Sequence, residues 1–119
     1  MGSNWSDNIS ITELSDEPVL SEELTALISR LDKTEKSQVP NVVLNFSSVT
    51  YVNSSNLAQL LRLRKRMSEC GRQLWLCSVS DDVWSVILIT GLDKVFRVAP
   101  DPFTALASLQ IETAKGDGA

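Results

Sequence analysis

Apolar and polar residues alternate between two periods along this chain, and the switches between them mark out the elements. Ile9, Ile11 and Leu14 suggest a short strand after a polar opening segment, residues 1–8, read as flexible. Leu24, Leu27, Ile28 and Leu31 then recur at helical spacing, with Ser21 as the expected cap and Glu22 and Glu23 at the positive end. Residues 32–38 are polar and read as a loop. Asn41 to Phe46 is a short strand run, apolar on both faces, as in a sheet covered from both sides.

A second helix is predicted after Asn56, burying Leu57, Leu60, Leu61, Leu63, Met67 and Cys70, with Gly71 as its left-handed cap. Leu74 to Val79 is the next strand. Ser80, Asp81 and Asp82 open a third helix, which Gly91 closes. Val95 to Val98 reads as a last strand. Asp101 before Pro102 starts a fourth helix, facing Leu106 and Leu109 inward. Strands alternating with helices imply right-handed crossovers around a mainly parallel sheet. The expectation is one small α/β domain over 9–111 and a disordered tail over 112–119.

Composition narrows the chemistry. The 119 residues are 43% hydrophobic, enough for a core without a disulfide or metal staple. There is no histidine, which excludes Ser-His and Cys-His nucleophile pairs and His-ligated zinc. Cys70 and Cys77 match no metal spacing or redox motif and read as reduced core residues. The glycines are Gly2, Gly71, Gly91, Gly116 and Gly118, and none leads a strand into a helix, so neither Gly-rich phosphate fingerprint is present. Asp81 and Asp82 suit a helix N-terminus better than an acid–base pair. No enzyme, cofactor or metal site is expected.

The net charge is −4, opposite to what phosphate-backbone binding favours. Arg62, Arg64, Lys65, Arg66 and Arg72 gather near the end of the second helix and read as a solvated face, so no nucleic acid is expected. No apolar run reaches the roughly 18 residues of a membrane-spanning helix, and a cytoplasmic protein is expected. In the third helix, Val83, Val86, Ile87 and Thr90 share the face assigned to the core, while Trp84 and Leu88 share a flank. Packing under a neighbouring element is one reading of that flank. An apolar patch for self-association or a partner is the sharper one.

The most informative segment is Asn53-Ser54-Ser55-Asn56, four small polar residues entering a helix beyond an apolar strand. From the residues alone, a serine capping the helix, worth about 1 kcal/mol, is the simpler reading. The alternative is a phosphoacceptor, its added charge tolerated at the helix N-terminus.

From Ile9 to about Leu109 the chain resembles a STAS domain, the fold of bacterial anti-sigma factor antagonists. The match rests on Val43-Leu44-Asn45-Phe46, then Asn53-Ser54-Ser55-Asn56-Leu57, Cys70-Gly71, and Thr90-Gly91-Leu92. The resemblance implies a mixed, mostly parallel sheet of four to five strands with about four helices. It also implies a phosphoacceptor at Ser54, with Ser55 as second candidate, and a partner that is both serine kinase and anti-sigma factor. Asn53 stands where the family has Asp, and Asn56 where it has Gly; both are expected to shape the loop. The contracted loop at Asp16-Glu17-Pro18 is expected near the phosphoacceptor, where it contributes to partner binding. The strand at Ile9 resembles the family's second, leaving little chain for the first. A constitutive adapter subunit of a larger signalling or lipid-transport complex, lacking the switch, remains the alternative.

Overall fold

The computed structural model describes residues 3–5, by their backbone, and residues 9–109. Strand β2 (Ile9–Ser15) leads into helix α1 (Val19–Lys33), and strand β3 (Asn41–Ser48) into helix α2 (Ser54–Glu69). Strand β4 (Leu74–Cys77), helix α3 (Asp81–Ile89) and strand β5 (Arg97–Ala99) follow. A final helix, α4, occupies residues 102–109. A short strand, β1 (Ser3–Trp5), pairs antiparallel with β2 in the register Ser3 to Thr12 and Trp5 to Ser10. This corrects the reading of residues 1–8 as wholly flexible: backbone pairing to β2 orders a segment with no apolar alternation to announce it. The tail over 112–119 lies outside the described residues.

The sheet order is β1-β2-β3-β4-β5, and β2 to β5 are mutually parallel. Each parallel step therefore crosses over through a helix. Residue alternation along β3 explains its apolar run. Val42, Leu44 and Phe46 face the large core with Leu74 and Leu76 of β4, under the apolar stripes of α1, α2 and α3. Val43 faces the opposite side, where it joins Trp75, Cys77 and Ala99 beneath Ala105 and Leu109 of α4. Both cysteines are free thiols; burial pushes the Cys77 thiol up from its ordinary value.

Helix ends follow the local chemistry in most places. The Ser80 hydroxyl accepts the Val83 N–H at 3.3 Å, and the Asp101 carboxylate accepts the Thr104 N–H at 2.7 Å. Gly71 and Gly91 sit at φ of 68° and 76°, the left-handed region that a side chain strains. Ser21 does not cap α1. The helix begins earlier, at Val19, and the Glu17 carboxylate reaches forward to accept the Ser21 N–H at 2.8 Å.

Other departures have packing reasons. Leu61 turns 40% of its surface to solvent, because the narrow buried stripe of α2 runs through Leu57, Leu60, Leu63 and Met67. Thr90 is exposed at the end of α3, where its hydroxyl donates to the Val86 and Ile87 carbonyls at 2.9 and 3.0 Å. The last strand begins at Arg97 because the short 3-10 turn Leu92–Lys94 carries the chain through Val95 first.

Candidate functional site

Asp16 and residues 53–56 lie where the carboxyl ends of β2 and β3 feed α1 and α2. After β3 the loop is anchored by alternate burial: Val49 and Val52 enter the large core, while Thr50 and Tyr51 point outward. A turn closes under it, with the Val49 N–H donating to the Phe46 carbonyl at 2.9 Å. Tyr51 leaves 61% of its surface exposed beside the entry to α2.

Asn53 is the N-cap of α2. Its Oδ1 accepts the Asn56 N–H at 2.9 Å, and Asn56 Oδ1 accepts the Asn53 N–H at 2.9 Å. This reciprocal pair is a capping box built from two asparagines. The cap therefore belongs to Asn53 and Asn56, not to a serine. Ser54 and Ser55, both exposed, occupy the first two helical positions, and the capping box leaves their hydroxyls out.

Asn56 is fully buried and ties the two loops together. Its Nδ2 donates to Glu17 Oε2 at 3.0 Å and lies 3.4 Å from the Ser21 hydroxyl. One turn on, Gln59 Nε2 donates to the Ser21 carbonyl at 3.2 Å and to Thr25 Oγ1 at 2.9 Å. The Ser21 hydroxyl also donates to the Glu17 carboxylate. On the flank, Asp16 accepts the Thr50 N–H and the Thr50 hydroxyl, each at 2.7 Å. Asp16 thus holds the loop that presents Asn53.

Both carboxylates titrate below their ordinary values, for hydrogen-bonding reasons. The Thr50 hydroxyl, then its N–H, holds Asp16 down; the Ser21 hydroxyl, then Asn56, holds Glu17 down. Lowered values in the folded state mean stabilisation that is complete above the ordinary values of 3.8 and 4.5 and disappears as pH falls through the folded-state values. Thermal unfolding of the wild type should therefore lose midpoint on acidification below about pH 4.5, and the double variant Asp16→Asn, Glu17→Gln should lose less. Parallel acid limbs for the two proteins would show that these bonds carry no pH-dependent stability.

The remaining candidates lie on other elements. Trp84 is half-buried and packs against the large core, while Leu88 is 48% exposed beside Ile89 at 85%. Part of the basic cluster has structural work. Arg66 donates to the Leu31 and Thr34 carbonyls at 3.2 and 2.8 Å, closing the end of α1, and Arg64 Nε donates to the Val95 carbonyl at 2.8 Å. Arg62 pairs with Asp32 at 3.6 Å on the surface. Among the described residues no three His, Cys, Asp or Glu side chains gather as a metal site, and no helix is long and apolar enough to cross a membrane.

Sequence reasoning missed Thr50, Gln59 and the role of Glu17. The Glu17–Asn56 bond joins residues 39 positions apart, and no periodicity reports such a pair. The available signal was a carboxylate four residues before the serine expected to cap α1.

Known proteins share this fold. The family model of the STAS domain matches residues 7–105. An anti-sigma F factor antagonist of Paenibacillus polymyxa is 23% identical over 77 residues, which are 65% of this chain and 66% of that protein. The crystal structure of a Thermotoga maritima protein superposes with a TM-score of 0.76 at 18% identity, covering 91% of this chain and 92% of that one. An anti-sigma-factor antagonist (STAS) domain protein from Planctomyces limnophilus gives 0.77 at 18% identity, covering 91% and 96%. At such identities the two structures speak for the fold.

Proposed function

Because this chain belongs to the STAS domain family, we propose that it is a regulatory, non-catalytic interaction protein of the anti-sigma factor antagonist type, working in the cytoplasm and switched at Ser54. The observation that carries this reading is the asparagine capping box. It satisfies the helix entry without either serine, so a modified serine leaves the cap intact. Ser54 stands exposed at the first position of α2, near helix-entry N–H groups and the positive end of the helix dipole.

The partner is a serine kinase that also serves as an anti-sigma factor. Ser54 Oγ attacks the γ-phosphorus of a nucleoside triphosphate held by that kinase. The new O–P bond replaces the bond to the departing diphosphate, and the hydroxyl proton passes to a base on the kinase. Phosphate adds roughly two negative charges to a surface that met the partner as a neutral hydroxyl. Tyr51, exposed beside the helix entry, supplies an aromatic contact at that surface.

Bait protein and its Ser54→Glu variant, exposed to lysate of the native cell, test the reading. Wild type should recover a kinase of this kind, and the variant roughly tenfold less of it. Mass spectrometry should find the phosphate on Ser54, with Ser55 as the second acceptor. Equal recovery of one partner by both baits, with neither serine modified, would instead establish a constitutive adapter and leave Ser54 a plain helix residue.

A further inference from the structure

Three arginines from different parts of the chain line one small cleft at the end of the sheet opposite Ser54. Leu74 and Arg97, the first residues of β4 and β5, form its floor together with the last turns of α2. Its volume is about 190 Å³, and Arg64 of α2, Arg72 just after that helix and Arg97 supply its charge. None of the described residues that line it is acidic. We infer that this cleft is a binding site for a single phosphate group, carried as free phosphate or as a small phosphate monoester. It stands apart from the Ser54 surface and does not rest on the reading of Ser54.

Each arginine is placed by a contact of its own. Arg64 Nε donates to the Val95 carbonyl at 2.8 Å, which pins one edge of the guanidinium against the wall of the cleft. The Arg97 guanidinium carbon lies 5.8 Å from the centroid of the Trp75 ring, a cation–π distance. Trp75 is itself held, its Nε1–H donating to Gln73 Oε1 at 2.9 Å. Arg72 follows Gly71, whose φ of 68° turns the chain out of α2, and its N–H donates to the Met67 carbonyl at 2.9 Å. Arginines placed in this way lose less freedom on gripping an anion than loose ones do.

Cations near a helix C-terminus ordinarily answer the negative end of its dipole. That accounts for Arg72. It does not account for Arg97, which comes from β5, or for Arg64, more than a turn before the helix ends at Glu69. Neighbouring basic residues give the contrast: Arg62 pairs with Asp32 at 3.6 Å and Arg66 with Glu69 at 3.9 Å. Around the cleft, three like charges meet a described lining without a carboxylate, and a bound anion offsets their repulsion. Guanidinium forks match phosphate oxygens, and the Ser68 hydroxyl in the lining adds a neutral donor. The cleft is smaller than the roughly 300 Å³ at which drug-sized sites begin, so it takes a phosphate group and not a whole nucleotide. The net charge of −4 disfavours an extended polyanion and leaves a compact one.

Nitrogen–proton NMR of the full chain tests the site, with sodium phosphate titrated at about pH 8 against sodium chloride of equal ionic strength. The Trp75 indole N–H, assigned through Trp75→Phe, and the Arg72 amide should shift along a saturating curve. Arg97→Met, which keeps an apolar stem over Trp75, should weaken phosphate binding about tenfold. Lys65→Met makes the same charge change at an exposed position of α2 outside the cleft and should weaken it less than about twofold. Should Arg97→Met disturb the fold, Arg72→Met, at an exposed position, carries the same expectation. Glycerol phosphate separates the two sources: binding equal to or tighter than that of inorganic phosphate assigns the site to a monoester, and weaker binding to the free ion. Shifts that are absent or fail to saturate would overturn the assignment. So would equal weakening by Lys65→Met and Arg97→Met, which would mean diffuse ionic attraction.

Discussion

Asn56→Ala should lower the free energy of unfolding by about 2–3 kcal/mol, read from urea denaturation at neutral pH. About 1 kcal/mol of this is the net worth of the hydrogen bond from the Asn53 N–H, while the bond from the backbone N–H of residue 56 to Asn53 survives. The rest comes from burial. Asn56 is fully buried, and its amide serves the Asn53 N–H and Glu17 at once. Removing it leaves the Asn53 N–H without its acceptor and parts the two loops. Asn56→Asp sharpens the test, since it keeps the shape and the acceptor but loses the donor and sets a second carboxylate against Glu17. That variant should also unfold earlier, and addition of salt should narrow its deficit. A wild-type midpoint for both variants would mean that Asn56 does not hold the loops together.

Phe46→Ala is expected to cost more, about 3–5 kcal/mol, out of the roughly 5–15 kcal/mol that stabilises a typical domain. Phe46 is fully buried in the large core at the end of β3. Its backbone carbonyl also accepts the Val49 N–H, so ring and backbone together set the turn that leads to Asn53. The loss follows from the apolar atoms removed and from the cavity left among side chains that relax only in part. Phe46→Leu, which refills most of the volume, should recover the larger share. Leu88→Ala, on an exposed position of α3, should change stability by about 0.5 kcal/mol or less. If Phe46→Ala matched Leu88→Ala, the placement of Phe46 in the core would be wrong.

The two variants divide the site between levels of structure. Phe46 acts through an apolar run in one strand, a feature written in consecutive residues. Asn56 acts through Glu17, 39 positions away, while its partners Asn53 and Gln59 lie three residues to either side. The expected cap on α1 failed for the same reason. Ser21 had the right chemistry and the right position before an apolar stripe, but the helix started three residues sooner, which put Ser21 inside the first turn with its own N–H bonded to the Glu17 carboxylate. Local pattern named a competent capping residue; three-dimensional competition chose another.

The apolar periods alone determined the strands from β2 to β4, helices α1 to α3, the parallel crossovers and the burial of β3 on both faces. These depend on spacing within a few residues, where a side chain's direction follows directly from the backbone period. The serine pair at a helix entry was legible on the same terms. Tertiary structure decided the remainder. It paired Ser3–Trp5 with β2 through backbone bonds that no side-chain pattern encodes. It gave the cap of α2 to two asparagines and left the serines free of it. It brought Asp16 to Thr50 and Glu17 to Asn56 across 34 and 39 positions. Such contacts form only once the sheet has set α1 and α2 side by side, so the carboxylate beside Asn56 is a product of the fold and not of the segment that carries the serines.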